Sequence, residues 1–182
     1  MRLKDVLHKH PEIKKSPIFS RFPNAFEDAL LMVAKKNGLN PERTNLENIY
    51  SYDGVIKNAK GDVLFYYDCE YSTVKDLFDG NGKINFWTVS IPLEKRRYFE
   101  EHKPSFYVRG SWDLRWVLVL RGDAILTHSK TTTKLCNHDG IKEMRDFMEV
   151  HTHSMIKNGC LKTGKLQDWL KLVKKLYPLL IF

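Results

Sequence analysis

IYSYDGVIKNAKGDVLFYYDCEY, residues 49–71, reads as a β-hairpin: two runs rich in β-branched and aromatic residues flank Asn58-Ala59-Lys60-Gly61, a loop with turn chemistry. Side chains alternate along a strand, so Leu64, Tyr66, Asp68 and Glu70 share one face and Val63, Phe65, Tyr67 and Cys69 the other. Closing the loop with Lys57 opposite Asp62 sets Asp53 opposite Tyr66 and diagonal to Asp68, on the acidic face. Three carboxylates then converge. Like charges this close raise one another's pKa unless a cation sits among them, and a hard divalent ion held by oxygen ligands is the usual solution. Asp53, Asp68 and Glu70 are therefore candidate ligands for Mg²⁺ (or Mn²⁺). The expectation depends on register, because a slip of one residue turns Asp53 to the opposite face.

Upstream of the hairpin, apolar Phe26, Ala29, Leu30, Val33 and Ala34 recur at the helical period and predict a helix from about Ala25 to Asn37, ended by Gly38. Asn24 with Glu27 three residues on reads as a capping box. Glu27 also falls within the apolar arc, which gives it an alternative role, leaning toward the acidic face of the hairpin. Asn40-Pro41 reads as loop.

Downstream, Asp79-Gly80-Asn81-Gly82 reads as turn and Ile84–Ile91 as a third strand. Pro92 opens a helix whose apolar face is set by Tyr98 and Phe99. Lys95 projects between them, where a lysine either snorkels out or points at something negative. Ser105–Arg109 and Arg115–Arg121 read as strands, the second apolar enough to be buried on both sides. Helices are expected at Ile141–Val150 and Leu166–Tyr177. The fold class is α+β (α/β/α-like), a central mixed sheet of about five strands flanked by helices. A basic arm occupies residues 1–22, the core 23–130 and a helical extension 131–182.

The 182 residues suffice for one core, and a net charge of +8 suits a polyanionic partner such as nucleic acid. Three cysteines, Cys69, Cys136 and Cys160, without close pairing argue against a disulfide-stapled secreted domain. No leader of signal-peptide type and no membrane-length apolar run is visible, so a cytoplasmic protein without a membrane partner is expected.

A helix with an inward Glu, an acidic hairpin, a third strand and a further helix together resemble the PD-(D/E)xK nuclease superfamily over roughly residues 23–126. The resemblance implies a restriction-endonuclease-like core and metal-dependent cleavage of DNA. It assigns Asp53 and Asp68 to the two acidic positions that hold one or two Mg²⁺ ions, and Glu27 as a helix ligand. The chain departs from the pattern at Glu70, where the family usually carries Lys. Some restriction enzymes of the superfamily have a second carboxylate there, and in other branches a neighbouring helix supplies the lysine, a role that falls to Lys95. Double-strand cleavage needs two sites, which implies a homodimer.

Arg96 and Arg97, off the apolar face of their helix, are candidate phosphate contacts, with Arg109. Trp87, Tyr107 and Trp112 are candidates for stacking on bases, although strand tryptophans such as Trp87 and Trp116 are more often core. Cys136, His138, His151, His153 and Cys160 are zinc-competent, but their spacing fits no common knuckle. Two non-catalytic alternatives are a nucleic-acid-binding module that kept the fold and a protein-interaction module. The acids would then only keep a sheet edge soluble.

Overall fold

The computed structural model describes residues 22–44, 53–72, 77–138 and 141–181. The basic arm expected over 1–22 lies outside them, except for Phe22. In chain order the elements are α1 (Phe22–Lys36), β1 (Asn40–Arg43), β2 (Gly54–Lys57), β3 (Val63–Tyr71), β4 (Thr88–Pro92), a 3₁₀ turn (Leu93–Lys95), α2 (Arg96–Glu101), β5 (Ser105–Gly110), β6 (Trp116–Arg121) and α3 (Gly122–His128). They continue with β7 (Lys130–His138), β8 (Ile141–His151), α4 (Thr152–Lys157), β9 (Leu161–Lys165), a second 3₁₀ turn (Leu166–Asp168) and α5 (Trp169–Leu176).

The class is α+β, with a mixed six-stranded sheet ordered β1-β2-β3-β5-β6-β9 and a second sheet ordered β4-β8-β7. Strands β1, β2 and β3 form an antiparallel meander, β3 runs parallel to β5, and β6 is antiparallel to both its neighbours. The strand β6 shows why the main sheet is covered on both sides. Val117 and Val119 enter one core with Phe65, Phe106, α1 and α5, while Leu118 and Leu120 enter another with Tyr107, β4, β8, α2 and α3. Asp68 and Glu70 lie in alternation with Tyr67 and Cys69, so they follow Tyr66 to the face beneath the second sheet.

The hairpin register differs from the expected one in a way that preserves its consequence. Lys57 pairs with Val63 rather than Asp62, and Ile56 pairs with Phe65, leaving Leu64 as a bulged residue. Gly54 therefore stands opposite Tyr67, and the ladder extended by one residue carries Asp53 toward Asp68 instead of Tyr66. The turn contributes one residue of shift and the bulge a second. An even shift keeps the parity of a period-two strand, so Asp53 and Asp68 stay on one face.

Several expected elements are corrected. Asn40-Pro41 belongs to strand β1, which tolerates a proline because it is the edge of the sheet. α1 begins at Phe22, so Asn24 lies inside the helix and Glu27 is not at a capping-box position. The strand expected at Ile84–Ile91 is shorter, Thr88–Pro92, and pairs with β8 in the second sheet.

Ile141–Val150 forms β8, not a helix. Met, Glu, Lys and Arg favour helix there, but Asp139-Gly140 separates the paired His138 and Ile141, a two-residue hairpin signal, and β7 offers nine residues of ladder. The helical extension expected over 131–182 instead supplies β7, β8 and β9, the last hydrogen-bonded to β6 in the main sheet, together with α4 and α5. Gly164 lets α5 close over β9, since a Cβ there would lie 3.1 Å from Leu172.

Candidate functional site

α1 lays Phe26, Leu30 and Val33 on the main sheet, and the helical period turns Glu27 inward with them. Glu27 is 6% exposed. The hydroxyl of Tyr67 donates to it at 2.8 Å and Arg43 Nε approaches at 2.9 Å, while Arg43 Nη2 donates to Asp28 at 2.7 Å. Burial raises the Glu27 pKa, the Tyr67 bond and Arg43 oppose the rise, and the charge of Asp53 adds to it. Glu27 thus sits on the Tyr67 face of β3, opposite Asp68, yet within electrostatic reach of Asp53. Neither expected role matches: Glu27 is not at a cap, and it packs on the Tyr67 face of β3 rather than toward the acidic face.

Asp53 precedes β2 and is fixed from two sides. Its carbonyl accepts from the Thr44 N–H at 2.9 Å, and its Oδ2 accepts from the Cys69 N–H at 2.6 Å. Gly54 follows because the Tyr67 hydroxyl lies against its α-carbon, where a side chain would collide. Asp53 is thereby aimed at the stretch of β3 that carries Asp68.

Asp68 is 3% exposed and bonds to Lys95, which the 3₁₀ turn after β4 delivers from the layer above the sheet. Tyr98 and Phe99 anchor α2 in the core on that side, which fixes where the turn ends. Burial pushes the Asp68 pKa up to about 7; Lys95 holds it down, and Asp53 and Glu70 raise it further. Burial lowers the Lys95 pKa, but Asp68 and then Asp53 outweigh it and the ammonium is held above its usual range. At neutral pH and above, the two form an ion pair with Asp53 as a second carboxylate beside it.

Glu70 is drawn elsewhere. The Tyr107 hydroxyl donates to one of its oxygens, and Arg109 Nη2 lies 3.7 Å from the other. Tyr107 is 1% exposed and belongs to the core, which removes it from base stacking. Arg109 Nε is buried without a partner. Among the described residues no three His, Cys, Asp or Glu side chains gather into a metal-binding group.

Arg96 and Arg97 are exposed and pair with Glu100 and Glu101 one turn on. Trp87 is not in a strand and is 74% exposed, contrary to the expectation of a core residue, while Trp116 is half-buried against Gly82.

The structure thus brings Asp53, Asp68 and Lys95 together, keeps Glu27 near them on the far face, and sets Glu70 aside. Sequence reading missed the clamps: Tyr67 with Arg43 on Glu27, and Tyr107 on Glu70. Alternation already put Tyr67 on the helix side of β3, a usable signal. The Glu70–Tyr107 pair depends on the parallel register of β3 against β5, and a crossover through β4 and α2 leaves no local trace of that register.

No protein-family model, no curated protein and no solved structure matches the chain. No helix among the described residues is long and apolar enough to cross a membrane.

Proposed function

We propose that the chain is a metal-dependent endonuclease that hydrolyses phosphodiester bonds of DNA, on a core resembling the PD-(D/E)xK superfamily. The observation that carries the reading is the junction of Asp68 with Lys95. A lysine from the α2 side reaches the acidic position of β3, where the residue usual for the superfamily is replaced by Glu70. The order of helix, antiparallel meander, helix and parallel strand supports it, since Glu27, Asp68 and Lys95 each come within electrostatic reach of Asp53.

The residues fit Mg²⁺ as a pair rather than a trio. Mg²⁺ is commonly held by one or two carboxylates, with water and substrate phosphate completing an octahedral shell. Asp53 and Asp68 are hard oxygen donors on one face, and with Lys95 they leave one uncompensated negative charge. When bound, a divalent cation lowers the pKa of water and offsets charge that develops on the phosphate. The chain's own residues do the rest. The Cys69 N–H keeps Asp53 oriented, Lys95 supplies a donor to a phosphate oxygen or to the attacking water, and burial under α2 and the second sheet strengthens each of these interactions. Arg109, loosely engaged by Glu70, is positioned to meet a phosphate.

The closed Lys95–Asp68 pair favours one other reading, a nucleic-acid-binding module on the same fold that does not cut. Plasmid and single-stranded circular DNA incubated with Mg²⁺ or Mn²⁺ separate the two. Cleavage by the wild type that is lost in Asp68→Ala, with binding retained, supports the enzyme; salt-sensitive binding by both proteins with no cutting at any concentration of either metal rejects it.

A further inference from the structure

On the side of β4 away from Lys95 lies a groove of about 350 Å³ lined by Lys83, Asn85, Phe86, Trp87, His153 and Ile156. Its aromatic wall is pinned at the backbone and exposed at the side chain. The Thr152 N–H and hydroxyl donate to the Trp87 carbonyl at 2.8 and 3.1 Å, and the hydroxyl also reaches the Phe86 carbonyl at 2.5 Å. Thr152 itself is buried. Trp87 nevertheless leaves its indole 74% exposed, Phe86 is 40% exposed and Ile156 42%. The His151 ring stands 5.9 Å from the indole at a tilt of 57°. An indole held this way contributes little to the core, and a fixed, exposed aromatic face is what stacking on a planar group requires.

The chemistry around it selects the planar group. Lys83 is exposed at the rim, and Asp79, which also lines the groove, accepts from the backbone N–H groups of Asn81 and Lys83 at 2.8 Å each through Oδ1. The groove therefore presents an aromatic floor beside an exposed lysine, with Asp79 Oδ1 engaged by its own loop, on a protein of net charge +8. β4 leads straight from Trp87 to the turn bearing Lys95, and its five residues span roughly 17 Å, a distance that a few nucleotides of extended strand cover.

We propose that this groove stacks an unpaired base of the nucleic-acid strand whose backbone runs along β4 to Asp68 and Lys95. The substrate class is then single-stranded DNA, or DNA with an unpaired base near the cut, and Lys83 takes a phosphate flanking the stacked base. The inference rests on the nuclease reading for the destination of the strand, but its test does not need cleavage.

The test is fluorescence anisotropy with a labelled oligothymidylate and with its blunt duplex, both without divalent metal so that nothing is cut. Wild type is expected to prefer the single strand. Trp87→Ala should weaken single-strand binding roughly tenfold, Trp87→Phe should keep most of it, and the salt slope should not change, because a stacked base releases no counterions. Lys83→Ala should instead lower the salt slope by about one. Equal single-strand affinity in wild type and Trp87→Ala, with unchanged circular dichroism, overturns the proposal and leaves the groove to a peptide. Trp87-dependent binding by a protein that never cuts leaves the stacking site standing and the nuclease reading rejected. Metal-dependent cutting that is indifferent to Trp87 does the reverse.

Discussion

Asp68 is a carboxyl that burial favours in its neutral form and Lys95 favours in its charged form, and the balance sets its pKa near 7. Replacing Lys95 by Met removes the opposing cation, so the Asp68 pKa should rise above about 7, read as a carboxyl titration by carbon NMR. The variant should also lose about 3 kcal/mol in urea unfolding, because a buried charge loses its partner. The sign of the pH dependence follows from the raised value. The folded chain holds a proton on Asp68 that the unfolded chain, with an ordinary value of about 3.9, has already released, so this group makes stability fall as pH rises from about 4 to about 7. Asp68→Asn should flatten the stability curve over that window. If the chain cleaves DNA as proposed, cleavage needs the ionised form and should rise as pH passes about 7 in the wild type. On the other face, Tyr67→Phe should cost about 2 kcal/mol, since buried Glu27 loses a charge-assisted hydrogen bond; a denaturant midpoint unchanged from the wild type would contradict that bond.

At the scale of elements, the hairpin β2–β3 and its capping layers keep the acids in place. Gly54→Ala brings a methyl onto the Tyr67 hydroxyl and within 2.6 Å of the Glu42 carbonyl, and should destabilise by about 1–3 kcal/mol in thermal or urea unfolding. The C-terminal helix supports the hairpin from below. Trp169 is fully buried, meets Phe65 edge-on at 5.8 Å, and donates its indole N–H to the Leu30 carbonyl at 3.2 Å. Trp169→Ala should cost about 3–5 kcal/mol and, by loosening α1 against β3, shift Glu27 and Tyr67 as well, visible as chemical-shift changes at both. α5 was readable in the sequence because Leu166, Trp169, Leu170, Val173 and Leu176 repeat at the helical period and all of them are buried. β8 was not, because its composition is helical and only pairing with β7 and β4 makes it a strand.

At the scale of the molecule, two cores sandwich one sheet, and Arg96 and Arg97 stand exposed on α2. Their i,i+4 pairs with Glu100 and Glu101 are solvent-facing and hold them weakly, so a phosphate can compete for the guanidinium groups. If the chain binds DNA as proposed, replacing both arginines by Ala should reduce the salt dependence of that binding by about two counterions while leaving the Asp68 titration in place, measured by anisotropy across a salt series. An unchanged slope would remove both residues from the interface.

The sequence by itself determined what depends on local period: the inward stripe of α1 with Glu27 in it, the acidic alternation of β3, the two-sided apolar run of β6, and the misplaced Lys95 on an apolar turn. These follow because a helix or strand fixes which side chains share a face whatever surrounds it. Tertiary structure decided the rest. The bulge at Leu64 restored the parity that a one-residue shift at the turn would have lost. The parallel register of β3 and β5 drew Glu70 to Tyr107, and the second sheet assembled from segments far apart in the chain. Only the folded chain brings Lys95, 27 positions on, onto Asp68, because the segment between them carries no local rule for where a crossover lands.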